Sequence, residues 1–131
     1  MVPVQETFDA RLGLQLIDDD TDGVMRGRMT IRDELRQPFG LLHGGVLSSV
    51  AESLASWGTW RFAGDAETAV MGMSNDTQFL RPLTEGDVHA VATARHRGRT
   101  RWLWEVQFRD DADRLCAVTA VNIAIRPMHR P

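Results

Sequence analysis

The chain has 131 residues, of which 43% are hydrophobic, with a formal net charge of -3 and a pI near 5.7. That length fits one domain, residues 1–131, with a real but small core, and the acidic balance argues against a general nucleic-acid binder, which is usually basic. No apolar run reaches membrane-spanning length, residues 1–9 lack the basic patch and apolar stretch of a secretory leader, and Cys116 is the sole cysteine, so the expectation is a soluble cytoplasmic protein without disulfides.

The opening alternates: Leu12, Leu14 and Leu16, a turn over Asp18 to Asp22, then Val24, Arg26, Arg28 and Thr30 interleaved with Met25, Met29 and Ile31. This predicts two strands joined by an Asp/Gly turn. Pro38 and Gly40 break the pattern before Gly44-Gly45. From Val46 to Trp60 the period becomes helical, with Val46, Leu47, Val50, Ala51, Leu54 and Gly58 on one face. Gly64-Asp65 ends that element. The remainder reads as strand: Thr68 to Phe79, Val88 to Arg95, Trp102 to Phe108 and Leu115 to Ile125. The turns between them are Glu85-Gly86, Arg97-Gly98-Arg99 and Asp110 to Asp113. One long helix among about five to six strands with short turns predicts an α+β domain built on an antiparallel sheet.

The helix carries the functional signal. Between Gly44 and Trp60 the only charged residue is Glu52, and the face away from the apolar stripe holds Ser48, Ser49, Ser53 and Ser56. A surface helix normally carries several charges on its outer face, so this one is expected to be covered on all sides, by the sheet on one and most simply by a second subunit on the other. Glu52 is then a buried carboxylate with no cation in its own helix, a costly group that proteins keep for chemistry or for hydrogen-bonded structural glue. Upstream, the N–H groups of Gly44 and Gly45 at a helix start suit a developing oxyanion, and glycine lets a substrate carbonyl approach the backbone. His43 either donates to the same oxygen or holds the turn.

Gln37, His43-Gly44-Gly45, Glu52 and Ser56, taken together, resemble the active-site run of hotdog-fold acyl-CoA thioesterases. Within them the sequence is most similar to the phenylacetate-pathway type, the 4-hydroxybenzoyl-CoA thioesterases with a helix-borne Glu, and the enterobactin-pathway proofreading enzyme. The likeness continues through Asn75 to Pro82, the His96 to Thr100 turn and the last strand. It implies a sheet wrapped around the long helix and a homodimer, with Gly44 of one subunit meeting Glu52 of the other; many members go on to form a homotetramer. It further implies that the Gly44 N–H polarises the thioester carbonyl with help from His43 and that Gln37 orients the thioester. Glu52 is nucleophile or general base, and Ser56 positions the water or the carboxylate. The CoA moiety, part of the substrate and not a cofactor, falls to Arg81, Gly98, Arg99 and Thr100, with Arg97 and Arg101 nearby; arginine forks and a glycine turn's N–H groups suit phosphates.

The expected activity is hydrolysis of an acyl- or aroyl-CoA to free acid and CoA, with no metal, since no His/Cys/Asp cluster has ligand spacing. Two other classes compete. A hydratase or dehydratase of the same fold lacks its Pro-Gly helix entry or Asp-x-Asn-x-x-His pattern here. A non-catalytic acyl-CoA sensor would tend to lose the carboxylate that this chain keeps. Trp57 and Trp60 could line a pocket, Met71 and Met73 could border the acyl channel, and His89 and Cys116 read as ordinary strand side chains.

Overall fold

The computed structural model describes residues 2–128. Six strands form one sheet: β1 (Gln15–Ile17), β2 (Val24–Thr30), β3 (Thr68–Phe79), β4 (Asp87–Arg97), β5 (Arg101–Arg109) and β6 (Leu115–Pro127). Their order is β1-β2-β4-β5-β6-β3, and every neighbouring pair is antiparallel. The α+β architecture expected from the sequence is therefore present, with six strands.

The strand periodicity works as the sequence suggests. In β5, Trp102, Trp104, Val106 and Phe108 are buried while Leu103, Glu105 and Gln107 are only partly covered. Along β2, Met25, Gly27 and Met29 point inward and Arg26, Arg28 and Thr30 outward. The inward side chains pack on α2 (Gly44–Ala63), whose buried face includes Val46, Leu47, Val50, Ala51, Leu54 and Ala55. Helix and sheet touch most closely where Gly58 meets Trp104: a Cβ on Gly58 would lie 2.5 Å from Trp104 Cη2. The Trp104 indole N–H donates to Thr59 Oγ1 at 2.8 Å, so the largest core side chain has its one polar atom satisfied.

The opening holds the expected pair of strands across the Asp/Gly turn, but the first is shorter than the alternation suggests. Leu12 lies in a short helix, α1 (Phe8–Leu12), and is buried, and β1 is only three residues long. The leucines at 12, 14 and 16 imitate strand alternation but straddle a helix end. Gly13 stops α1 in the left-handed conformation at φ 74°, its N–H donating to Ala10 O.

α2 also begins two residues before the apolar period does, because His43 caps it. At the other end β3 is an edge strand: β6 is its one sheet neighbour, and Met71, Met73 and Phe79 are exposed. No helix among the described residues is long and apolar enough to cross a membrane.

Candidate active site

The first part of the site is the turn that leads into α2. The Arg36 guanidinium donates to Gly40 O at 2.7 Å and to Thr84 O, tying this turn to the segment before β4. Within the turn the Gln37 N–H donates to Leu41 O (2.8 Å) and the Gly40 N–H to Gln37 O (2.9 Å). The Phe39 N–H donates to Gln37 Oε1. The carbonyl end of the Gln37 amide is thus used inside the turn, which leaves the Nε2 protons for an outside acceptor.

His43 follows. Its N–H donates to Leu35 O at 2.9 Å, and its Nδ1 accepts from the Gly45 N–H at 2.9 Å. Of the two roles open from sequence, the imidazole therefore holds the turn as the helix cap. With Nδ1 an acceptor, the neutral ring carries its proton on Nε2, a donor still available to a ligand. Gly44, at the first helical position, has an N–H with no intrahelical carbonyl to meet it. The Phe79 ring packs on it so closely that a Cβ would lie 2.7 Å from Phe79 Cζ. Gln37, Gly44, Leu47, Phe79 and Arg81 border one cavity of about 460 Å³.

The second part is two turns further along α2. Glu52 projects over β3, where a Cβ on Gly72 would stand 2.2 Å from Oε1. The β3–β6 register slips between Gly72 and Ser74, so the strand is irregular at the point the carboxylate crosses. Glu52 is exposed in the single chain; the burial expected from the sequence called for a second subunit on this side of the helix. The sheet covers only the face bearing Val50, Ala51 and Leu54, and Glu52 leaves the helix at its uncovered flank. Among the described residues it has no ion-pair or hydrogen-bond partner. Ser56 lies one turn beyond and shares with Glu52 a cavity of about 510 Å³ walled by Trp57, Trp60 and Val70.

Three of the four serines opposite the apolar stripe have side-chain partners within the chain. Ser49 Oγ donates to Gly45 O (2.8 Å) and Ser53 Oγ to Asp9 Oδ1 (2.5 Å). Ser48 Oγ lies 3.1 Å from Thr77 Oγ1, which is 2.9 Å from Thr119 Oγ1. Asn75 Nδ2 donates at 2.8 Å to Ser48 O, the carbonyl one helical turn before Glu52. Asn75 thereby fixes the height of the carboxylate-bearing turn over β3.

A third group forms the β4–β5 turn. Gly98, Arg99, Thr100 and Arg101 border a cavity of about 450 Å³ with His96 and Met73. The Gly98 N–H donates to Arg101 O at 2.9 Å, and Thr100 O accepts from the Ile125 N–H at 2.9 Å. Arg97 turns away: it pairs with Asp22 at 3.0 Å and lies over the Trp102 ring. Met73 borders this turn and not the Glu52 cavity.

Within one chain the expected site residues thus fall into three sets: Gln37, Gly44 and Arg81; Glu52 and Ser56; Gly98, Arg99 and Thr100. Sequence reasoning missed Gly72, Asn75 and Asp9. A glycine inside a strand pattern is a hint of close backbone approach; nothing local marks the other two. Burial raises the Cys116 thiol above its ordinary range, which fits an inert side chain.

Comparison with known proteins follows the same line. The family model described as the thioesterase superfamily matches residues 39–117. A Mycobacterium tuberculosis protein that carries an esterase name is 38% identical over 125 residues, 92% of this chain and 89% of that one. A Pseudomonas aeruginosa thioesterase structure is 29% identical with a TM-score of 0.90, covering 95% of this chain and 88% of that one. A Haemophilus influenzae thioesterase structure is 26% identical with a TM-score of 0.88, covering 95% and 86%. With the helix-on-sheet architecture and a family match running through the His43–Glu52 segment, the chain belongs to the thioesterase superfamily and is a thioester hydrolase of the hotdog fold.

Proposed function

We propose that the protein hydrolyses acyl-CoA or aroyl-CoA thioesters at sites shared between two copies of the chain, with Glu52 as the catalytic carboxylate. The observation that carries this reading is the separation of Glu52 from Gly44. They lie on one helix, about 12 Å apart at 1.5 Å per residue, and open into different cavities. An oxyanion donor has to sit roughly 3 Å from the oxygen it stabilises, and the attacking group roughly 3 to 3.5 Å from the carbon. One chain's pair is too far apart for both.

The edge strand supplies a route to a closer pair. Glu52 lies over Gly72, near one end of β3, and Gly44 packs on Phe79 at the other. Antiparallel pairing of β3 with a second β3, about a twofold axis near Asn75 and Asp76, sets each Gly72 beside the other chain's Phe79. Glu52 of one copy then faces Gln37 and Gly44 of its partner, and the exposed apolar residues of β3 are covered.

In this site the Gly44 N–H, at the positive end of the α2 dipole, and the Gln37 amide hold the thioester oxygen. His43 contributes through Nε2–H. Glu52 either attacks the carbonyl carbon, expelling the CoA thiolate and leaving a mixed anhydride that water opens, or takes a proton from the attacking water. Ser56 orients the water or the carboxylate. Arg81 and the Gly98–Thr100 turn receive the phosphates of CoA, which is part of the substrate.

The experiment is a panel of acyl- and aroyl-CoAs incubated with the purified protein and a thiol reagent. Glu52→Ala keeps the fold and loses at least about a hundredfold in rate; the parental rate in that variant overturns the mechanism. Mixing Glu52→Ala with Gln37→Ala protein restores part of the activity if sites are shared, and restores none if each chain works alone. Hydration of an enoyl-CoA without thiol release, or tight binding without turnover, would favour the dehydratase and sensor readings.

A further inference from the structure

The N-terminal helix α1 is fastened into the wall of the Glu52 cavity. Asp9, on α1, accepts from Ser53 Oγ at 2.5 Å and from the Trp57 indole N–H at 3.3 Å. The anchor is secured from behind: Leu12 is buried, and Arg32 donates to Leu12 O at 3.2 Å and to Arg11 O. Trp57 is 42% exposed, so packing alone does not fix its indole; the Asp9 carboxylate supplies a polar tether.

The cavity has a consistent character. Its walls are largely apolar, with Trp57, Trp60, Val70 and Met128 prominent, and its ionisable members are Asp9, Glu52 and Asp65. Among the described residues no Arg or His lines it. The Thr68 hydroxyl and the Glu67 N–H hold the Asp65 carboxyl below its ordinary range, so that group stays charged at neutral pH.

We propose that this cavity receives the acyl group of the thioester, and that it selects an uncharged acyl group with a bulky apolar body while repelling one that ends in a carboxylate. Asp9 is a positioning residue in this scheme: it sets the Trp57 wall and adds one of the charges that turn an anionic acyl end away. The proposal rests on Glu52 marking the reacting end of the site. It goes further in naming what the site takes and in giving α1 a part in that choice.

The test measures binding, so it does not depend on turnover. Two CoA thioethers of equal chain length are compared by calorimetry, S-hexyl-CoA and S-(5-carboxypentyl)-CoA. The wild type favours the hexyl analogue by about thirtyfold or more, in line with several like charges near a partly desolvated carboxylate. Asp9→Asn narrows that ratio by about tenfold. Trp57→Phe, which keeps a ring but removes the N–H, weakens hexyl binding several-fold and leaves the ratio unchanged, a split that a merely structural role for Asp9 would not produce.

Equal affinity of the wild type for the two analogues overturns the selection, and an unchanged ratio in Asp9→Asn overturns the part given to Asp9. Should Asp9→Asn fail to fold, Ser53→Ala and Trp57→Phe each remove one donor to that carboxylate, and wild-type hexyl affinity in both overturns the tether. A Glu52→Ala protein that hydrolyses normally would sink the catalytic reading while leaving these binding ratios to stand or fall separately.

Discussion

Glu52 lies across the backbone of Gly72 with no room between them: any Cβ at that position would stand 2.2 Å from Oε1 and 2.8 Å from Cδ. Helix and edge strand are thus matched at one point, and the absence of a side chain there sets where the carboxylate rests. Gly72→Ala moves the tip of a flexible side chain and not the core. The expected result is near-native stability with a fall in kcat of about ten- to a hundredfold, since a displacement near 1 Å at a reacting group can cost that much. Thermal melts and steady-state rates on one preparation check it. Unchanged kcat would mean that the Glu52 position does not matter to the chemistry.

His43 has a structural function, and the proposed mechanism gives it a second one that substitution separates. Its Nδ1 caps α2 by accepting from the Gly45 N–H, and in the proposed site its Nε2–H is the donor offered to substrate. His43→Ala loses both, with about 0.5–2 kcal/mol of stability going with the cap. His43→Ser keeps a capping oxygen, so it recovers most of the stability and none of the Nε2 contribution to rate. Equal rates in His43→Ser and wild type would reduce the residue to a cap.

Gly58 presents the opposite case to Gly72. A Cβ there meets Trp104 at 2.5 and 2.6 Å and Met25 Cγ at 2.8 Å. Trp104 is fully buried and tethered to Thr59, so it cannot swing aside. Gly58→Ala overpacks the helix–sheet contact and costs about 1–3 kcal/mol, read by denaturant unfolding. Neutral stability would show that α2 can lift from the sheet at that turn.

Asp19 gives a prediction with a pH sign. The Arg26 guanidinium, bonded at 2.5 Å, and then the Thr21 N–H hold its carboxyl down from 3.8 to about 2. A carboxyl depressed in the folded state adds stability that is complete above its unfolded value and disappears as the pH falls through the folded one. The stability gap between wild type and Asp19→Asn is therefore largest above 3.8 and closes as the pH falls towards about 2. A gap that widens on acidification would contradict this pairing.

Much of this architecture could be read from periodicity. The strands β2 and β5 and the inner face of α2 follow alternation and helical spacing closely, because each has one side on a common core. The α1 segment escaped because Leu12, Leu14 and Leu16 keep a strand-like rhythm across a helix end that Gly13 imposes. The apolar period of α2 begins at Val46, two residues inside a helix whose cap is an imidazole in place of the usual Ser, Thr or Asp. Glu52 was legible as the one charge between Gly44 and Trp60, and Ser56 through the family resemblance. The Glu52–Gly72 fit and the Asp9 tether were not, since each joins residues distant in the chain that no local pattern links. The intrachain partners of Ser48, Ser49 and Ser53 could not be read either, since two of the three lie on distant segments.

The open side of β3 has a consequence beyond the reaction. A twelve-residue strand whose outer backbone groups face solvent, bearing Met71, Met73 and Phe79 uncovered, is adhesive to any extended polypeptide. A newly made copy is in that condition until something seals the strand. Its survival in a crowded cell is then a race, won by the first surface to reach it.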